Sequence, residues 1–458
     1  MYKIDFSKPE HIHFIGIGGI SMSGLAEVLL KEGFTVSGSD AHASDLTRRL
    51  EEKNANVIYG QRAENITDDI DVIVYTAAIH PDNPEFAAAA ASGKPMLTRA
   101  ELLGQMMQNY KTAIAVSGTH GKTTTTSMLS HILLEADADP TISVGGILPS
   151  IGGNIRVGNS DTFITEACEY TNSFLSFFPT LGIILNMDAD HLDFFKDIDD
   201  IRHSFRKFAE LIPADGTLVI NADTPCYEQI TEGLSCQVIT YSLKTNASYT
   251  ADAITYDAFG HPSFDAYAYG EKLGRFTLAV PGEHNVSNAL ASIAAAAAMD
   301  ISLDAMQKGF ASFHGTDRRF QLKGKMKAVT IIDDYAHHPT EIRATLKAAA
   351  NYPSNTTWCV FQPHTFTRTK SLMNEFAEAL SLADKVILAD IYAARETDNL
   401  GISSVTLQQE ILKLGGECYY FPSFEEIQDF LRANCKDGDL VLTVGAGDVV
   451  KIGEALVD

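Results

Sequence analysis

The stretch AVSGTHGKTTTT (115–126) constrains this chain more than any other. An apolar run ends in a glycine-bounded loop and passes into a candidate helix, the order that presents backbone N–H groups to a phosphate. The common form of such a loop, G-x-x-x-x-G-K-[ST], would need glycine at position 116. Val116 stands there, and the loop reads G-T-H-G-K-T from Gly118 through Thr119, His120, Gly121 and Lys122 to Thr123. The two glycines let the main chain curl round phosphate oxygens, Lys122 offers charge to the terminal phosphates, and the Thr123 hydroxyl suits Mg²⁺. Four threonines at 123–126 are poor mid-helix residues, so a purely structural helix start explains them badly. A nucleoside triphosphate site is expected.

A second strand–glycine–helix unit lies upstream. In HIHFIGIGGISMSGLAEVLLKEGFTVSGSD (11–40), residues 13–17 read as a strand, Gly16, Gly18 and Gly19 as a turn, and 21–31 as a helix. It approaches the dinucleotide fingerprint, with Ser21 in place of the third glycine and Asp40 closing the next strand where a ribose-binding acid belongs. A diphosphate site is expected, and the loop alone does not say which diphosphate.

Further strands are expected at 71–78, 162–167, 181–187 and 216–223, and a third α/β start comes near 325 with later strands around 356–364, 385–392 and 439–448. Alternation of this kind means parallel sheets wrapped by helices. The expected fold is α/β in three domains: Rossmann-like at 1–110, a central P-loop domain with a parallel or mixed sheet at 111–322, and a second Rossmann-like domain at 323–458. The 458 residues allow two to four such cores.

The formal charge of −24 argues against non-specific binding to nucleic acid or anionic membrane. An acidic protein that binds polyanions must gather its positive charge locally. The six cysteines form no C-x-x-C pair, as expected of reduced thiols in a cytoplasmic protein. MYKIDFSKPE lacks the build of a signal peptide, and the alanine-rich ALASIAAAAAM (289–299) is too short to span a membrane.

Oxygen ligands for a hard cation appear at strand ends. Glu166 closes TFITEA, and LNMDADHLDFF (185–195) packs Asp188, Asp190, His191 and Asp193 into a turn that an exposed acidic loop would also explain. PGEHNVSNALAS (281–292) offers His284, Asn285 and Asn288, whose amides can read a base edge or cap a helix. HGTDRRFQ (314–321) brings Asp317, Arg318 and Arg319 near the second boundary, where an arginine could clamp phosphate or be a solvated linker charge. DDYAHHPTEIRATL (333–346) and FQPHTFTRT (361–369) put His337, His338, His364 and Arg368 on loops after strands.

In this order, with EAxE, IYAARE and GAGD, the motifs from about residue 11 to 450 resemble the Mur ligases of bacterial cell-wall synthesis. HFIGIGGISMSGLA with DDYAHHPTE narrows the resemblance to the members that act on UDP-N-acetylmuramate. It implies an ATP-dependent carboxylate–amine ligase that adds L-alanine, or alternatively a recycling ligase that adds a tripeptide. The implied cofactors are Mg²⁺, as two ions, with ATP as co-substrate. Gly16, Gly18, Gly19 and Asp40 would then hold the UDP-sugar, and Gly118 to Thr124 the ATP. Asn285 would lie by the base and Arg319 by the phosphates. Thr123, Glu166 and His191 would bind metal, and His337 and Arg368 would face the amino acid. No nucleic acid or membrane partner is implied, and a monomer or weak homodimer is expected. Thr365 stands where some members carry arginine, and Lys207 lies near where several carry a carbamylated lysine. An NAD-dependent oxidoreductase would leave the second loop unexplained. A catalytically silent nucleotide sensor would leave Lys122, Thr123, Glu166 and His191 without a purpose.

Overall fold

The apolar runs do form parallel strands. The computed structural model describes residues 2–76, 78–192, 194–394 and 396–457. These group into two units: Met1–Leu185 with Arg202–Ile239 and Ala295–Ile301, and Asn186–Ile201 with Thr240–Ala294 and Ser302–Asp458.

In the first unit, β1 (His11–Ile15), β2 (Thr35–Asp40), β3 (Asn56–Tyr59), β4 (Val72–Tyr75) and β5 (Met96–Thr98) make a parallel sheet in the order β3-β2-β1-β4-β5. Strand β1 starts and stops two residues earlier than the apolar run 13–17 suggests, because its ladder to β2 pairs His11 with Thr35 and ends with Ile15 opposite Ser39. The next residue, Gly16, already belongs to the turn.

The same unit holds β6 (Thr112–Ser117), β7 (Thr141–Leu148), β8 (Gly153–Arg156), β9 (Thr162–Ala167), β10 (Leu181–Ile184) and β11 (Thr217–Asn221) in the order β11-β10-β6-β9-β7-β8. Central β6 is buried from Ala113 to Ser117, and β10 is buried throughout, as strands covered on both faces must be. Only the β7–β8 edge hairpin is antiparallel here. The loops of interest leave the carboxyl ends of β6 and β9, the edge where α/β sheets receive ligands.

β12 (Gln237–Ser242) carries the chain into the second unit, where β13 (Tyr249–Tyr256), β14 (Pro262–Ala268) and β15 (Glu271–Thr277) form an antiparallel meander. Sequence reading did not anticipate it. Half of β13 is exposed and only Tyr249 is buried, so its residues lack the apolar run that marks a buried strand. The second unit also contains β16 (Gln321–Met326), β17 (Val329–Asp334), β18 (Thr357–Phe361), β19 (Lys385–Leu388), β20 (Cys418–Tyr420) and β21 (Leu440–Val444), in the order β16-β17-β21-β18-β19-β20. β16 alone runs antiparallel in this sheet. Two apolar clusters pack it, one around Phe361, Phe376 and Leu442, the other around Trp358, Val360 and Ile452. The result is the expected α/β chain with parallel and mixed sheets. Among the described residues no helix is long and apolar enough to cross a membrane.

Candidate active site

Gly121 caps the helix Lys122–Glu135 with φ of +86°, a left-handed conformation open to glycine at little cost. That turn aims the first helical N–H groups back at the loop and places Lys122 at the helix start. The Lys122 ammonium bonds the carbonyls of Gly118 and Thr119, the latter at 3.1 Å, and lies 2.8 Å from Glu169 Oε2. Burial alone would depress the lysine; the Glu169 carboxylate, itself 2% exposed, more than offsets this, and the net direction is up. Lys122 therefore stays charged despite its burial. Sequence reading missed Glu169 as a site residue, although the EAxE motif contains it.

Beside it, Thr123 Oγ1 donates to Glu166 Oε2 at 3.1 Å, and the Gly145 N–H donates to the other carboxylate oxygen. The parallel pairing of β6 with β9 sets Val116 opposite Glu166, which is why a glutamate 43 positions from Thr123 reaches it. Any Cβ at position 145 would fall 2.6 Å from Glu166 Oε2, so the cradle is cut to glycine. A hydroxyl and a carboxylate in such a cradle fit a hard cation such as Mg²⁺. Thr119, His120 and Thr124 are half-buried around the same loop.

The first glycine loop is held differently. The N–H groups of Gly16 and Ile17 both donate to the Ser39 carbonyl at 2.9 Å, and that of Gly18 to Asp40 Oδ2 at 2.8 Å. Asp40 thus grips the loop itself, because the β1–β2 register places it beside Gly18. Gly19 begins the helix Ile20–Lys31 without a side-chain cap, leaving that helix end open to an anion.

In the second unit, Asp190 gathers several candidates. Arg368 Nε donates to Asp190 Oδ1 at 3.0 Å, and another guanidinium nitrogen lies 3.3 Å from His364 Nδ1. Burial would raise the Asp190 carboxyl, but Arg368 first, then His191, His337 and His338, pull it well below the usual carboxylate range. His191 sits next to it with φ of +55°. The Thr340 hydroxyl donates to Asp188, whose Oδ2 is 3.7 Å from His338 Nδ1. His337 is pushed down to about 4, chiefly by burial, with its Nδ1 3.1 Å from the Tyr335 carbonyl. It is a neutral imidazole at pH 7. Asp193 lies outside the described residues.

Asn285 is buried, and its amide donates to the Pro281 carbonyl at 2.7 Å while accepting from Asn288 at 3.0 Å. It shapes the turn that starts the helix Glu283–Ala298. Its neighbour His284 is pushed down to about 4 by burial and then by Arg319. Of the two arginines, Arg318 is bound to Asp333 at 2.9 Å and to the Gly445 carbonyl at 2.6 Å. Arg319 lies 5.4 Å from the Tyr335 ring centroid and makes no ion pair among the described residues, which leaves its guanidinium available to a ligand. Lys207 is exposed on the helix Ile198–Glu210.

Family models match three successive stretches: "Mur ligase family, catalytic domain" over 11–111, "Mur ligase middle domain" over 116–296, and "Mur ligase, glutamate ligase domain" over 318–447. The chain belongs to the Mur ligase family. This Mur ligase is 61% identical, over all of both chains, to a UDP-N-acetylmuramate–L-alanine ligase of Lachnospira eligens and to another of Agathobacter rectalis. It resembles the solved UDP-N-acetylmuramate–alanine ligase of Thermotoga maritima with a TM-score of 0.79 at 29% identity, covering 97% of this chain and 98% of that one. A murein peptide ligase from Psychrobacter arcticus superposes at a TM-score of 0.70 and 25% identity, covering 98% of each. Within the Mur ligase middle-domain stretch lie the loop from Gly118 and its partners Glu166 and Glu169.

Proposed function

We propose that this Mur ligase joins L-alanine to the lactyl carboxylate of UDP-N-acetylmuramate, converting ATP to ADP and phosphate and yielding UDP-N-acetylmuramoyl-L-alanine for peptidoglycan synthesis. The observation that carries the reading is the convergence of Lys122, Thr123, Glu166 and Glu169 on one shortened phosphate loop, in a chain 61% identical end to end to ligases named for this reaction.

The carboxylate attacks the γ-phosphorus and expels ADP, and the L-alanine amine, losing a proton, then displaces phosphate from the acyl phosphate. The first step sets an anion against a polyanion. Lys122, held charged by Glu169, spreads the γ-phosphate charge, and the N–H groups at the start of the helix Lys122–Glu135 add partial positive charge. Thr123 and Glu166 would hold Mg²⁺ and His191 a second ion, supplying further positive charge on the phosphate and carboxylate oxygens. Arg319 would take phosphate, and Asn285 would hold the turn beside the adenine. The neutral His337 and Arg368 would face the incoming L-alanine. Gly16, Gly18 and Gly19, braced by Asp40, would hold the UDP diphosphate. Orienting three substrates can lower the barrier by on the order of 7–11 kcal/mol.

The working division is 1–110 for the sugar nucleotide, 111–322 for ATP and 323–458 for the amino acid, in a cytoplasmic monomer or weak homodimer. The test is phosphate release from ATP and Mg²⁺ with UDP-N-acetylmuramate, comparing L-alanine, glycine, L-serine and the L-Ala-γ-D-Glu-diaminopimelate tripeptide. Release strongly preferring L-alanine is expected. Release only with tripeptide would move the chain to cell-wall recycling.

A further inference from the structure

Arg99 stands at the first position of the helix Arg99–Met107, behind the cap Thr98. A helix start gathers partial positive charge and is stabilised by an acid, so an arginine there works against the helix. The guanidinium is half-buried, and its Nη1 donates to Ser21 Oγ at 3.1 Å. Ser21 belongs to the first turn of the helix that follows the Gly16–Gly19 loop. Burial pulls Arg99 below the ordinary arginine range. Among the described residues no carboxylate pairs with it. Glu101, the acid of the same turn, accepts at Oε2 from the Thr98 N–H and hydroxyl at 2.7 and 2.8 Å.

A partly desolvated cation without a counter-ion, placed at the positive end of a helix, is costly to the empty protein. Its position explains the cost. Arg99 reaches the helix of the first glycine loop through Ser21, and its own helix packs at Gly104 against Ser176, in the segment that follows Glu169. We infer that Arg99 is a substrate-binding residue that takes an oxyanion of the sugar nucleotide, completing with its guanidinium a first loop that carries no cation of its own. This rests on the sugar-nucleotide reading above. The diphosphate and the lactyl carboxylate present the same chemistry, an oxyanion accepting charge-assisted hydrogen bonds from the guanidinium.

The test compares the wild-type chain with R99M and R99K by titration with UDP, UDP-N-acetylglucosamine and UDP-N-acetylmuramate, alongside thermal melting without ligand. R99M is expected to lose roughly 10- to 100-fold in UDP-N-acetylmuramate affinity. R99K should fall between, since it keeps the charge without the planar fork. The KM for ATP should move less than about twofold, because Lys122 is untouched. Equal losses for all three ligands would assign the diphosphate; a loss confined to UDP-N-acetylmuramate would assign the carboxylate. The melting temperature of ligand-free R99M should equal or exceed that of the wild type. Unchanged binding in R99M, or a ligand-free R99M destabilised relative to wild type, would overturn the assignment. Absence of sugar-nucleotide binding in the wild type would instead fail the functional reading on which it rests.

Discussion

The loop at Gly118–Thr123 carries its own cation, whereas the loop at Gly16–Gly19 contains none. Both follow a central parallel strand and open a helix, yet their donors are arranged in opposite ways. In the second loop a lysine folds onto the loop carbonyls and is balanced by Glu169, while Thr123 and Glu166 pair alongside. In the first, three N–H groups are tied to Ser39 and Asp40 at the end of β2, which fixes the shape of the loop but adds no positive charge. A loop with its cation locked in place thus contrasts with a loop whose shape is fixed but which has none. On the inference above, the first loop takes its cation from Arg99, on a helix some eighty positions away.

Breaking the second loop should have the largest effect. In K122A, turnover is expected to fall by at least roughly a thousandfold, since the main counter-charge to the γ-phosphate is gone. UDP-N-acetylmuramate binding measured by titration should stay within about twofold, because the two loops share no donor. Comparable losses in both would erase the division of labour. E166A should cost at least roughly a hundredfold in rate or a matching increase in the Mg²⁺ needed for half-maximal activity. An unshifted Mg²⁺ titration would remove Glu166 from the metal site. G145A tests the same carboxylate without deleting it. Its added methyl would sit 2.6 Å from Glu166 Oε2, and displacing that oxygen should lower kcat by about tenfold, chiefly at low Mg²⁺.

On the first loop, D40A leaves the Gly18 N–H without its acceptor and should weaken the sugar nucleotide by about three- to tenfold with kcat nearly unchanged. D40N, whose amide oxygen can still accept from Gly18, should recover most of that loss. The smallest effect lies outside both loops. His337 is held near 4 in the folded chain against 6.5 when free, so between those values the unfolded chain binds more protons and folding weakens as pH falls. H337Q removes this contribution. Its urea midpoint should drop less between pH 7 and pH 5 than the wild type's, by about 1–2 kcal/mol in unfolding free energy.

The contrast between the loops also explains what could be read from sequence. The second loop was legible because its parts are local: Gly118, Gly121, Lys122 and Thr123 lie within six residues, and Glu166 ends a run whose strand spans Thr162–Ala167 as expected. Glu169 was visible only as a motif letter, since its pairing with Lys122 depends on how β9 leaves the sheet. Other expected strands ran too long at their carboxyl ends, 71–78 against Val72–Tyr75 and 181–187 against Leu181–Ile184. Apolar residues continue in the sequence past the ends of both strands, where the pairing with neighbouring strands stops. Arg99 was invisible because nothing in TRAELL distinguishes a ligand-seeking arginine from a helical one. Its meaning comes from burial, from Ser21 and from the missing carboxylate, all of which are tertiary. Asp190 is a similar case. Sequence put it in an acidic turn, and only packing shows that Arg368 and three histidines act on it.

If the second loop activates a carboxylate held from the first, isotope transfer will show it, using UDP-N-acetylmuramate labelled with ¹⁸O in both oxygens of the lactyl carboxylate, with ATP, Mg²⁺ and L-alanine. Attack of the carboxylate on the γ-phosphorus, followed by displacement by the amine, predicts one labelled oxygen in each phosphate released and one in the new amide carbonyl. Unlabelled phosphate accompanying full ligation would contradict the account.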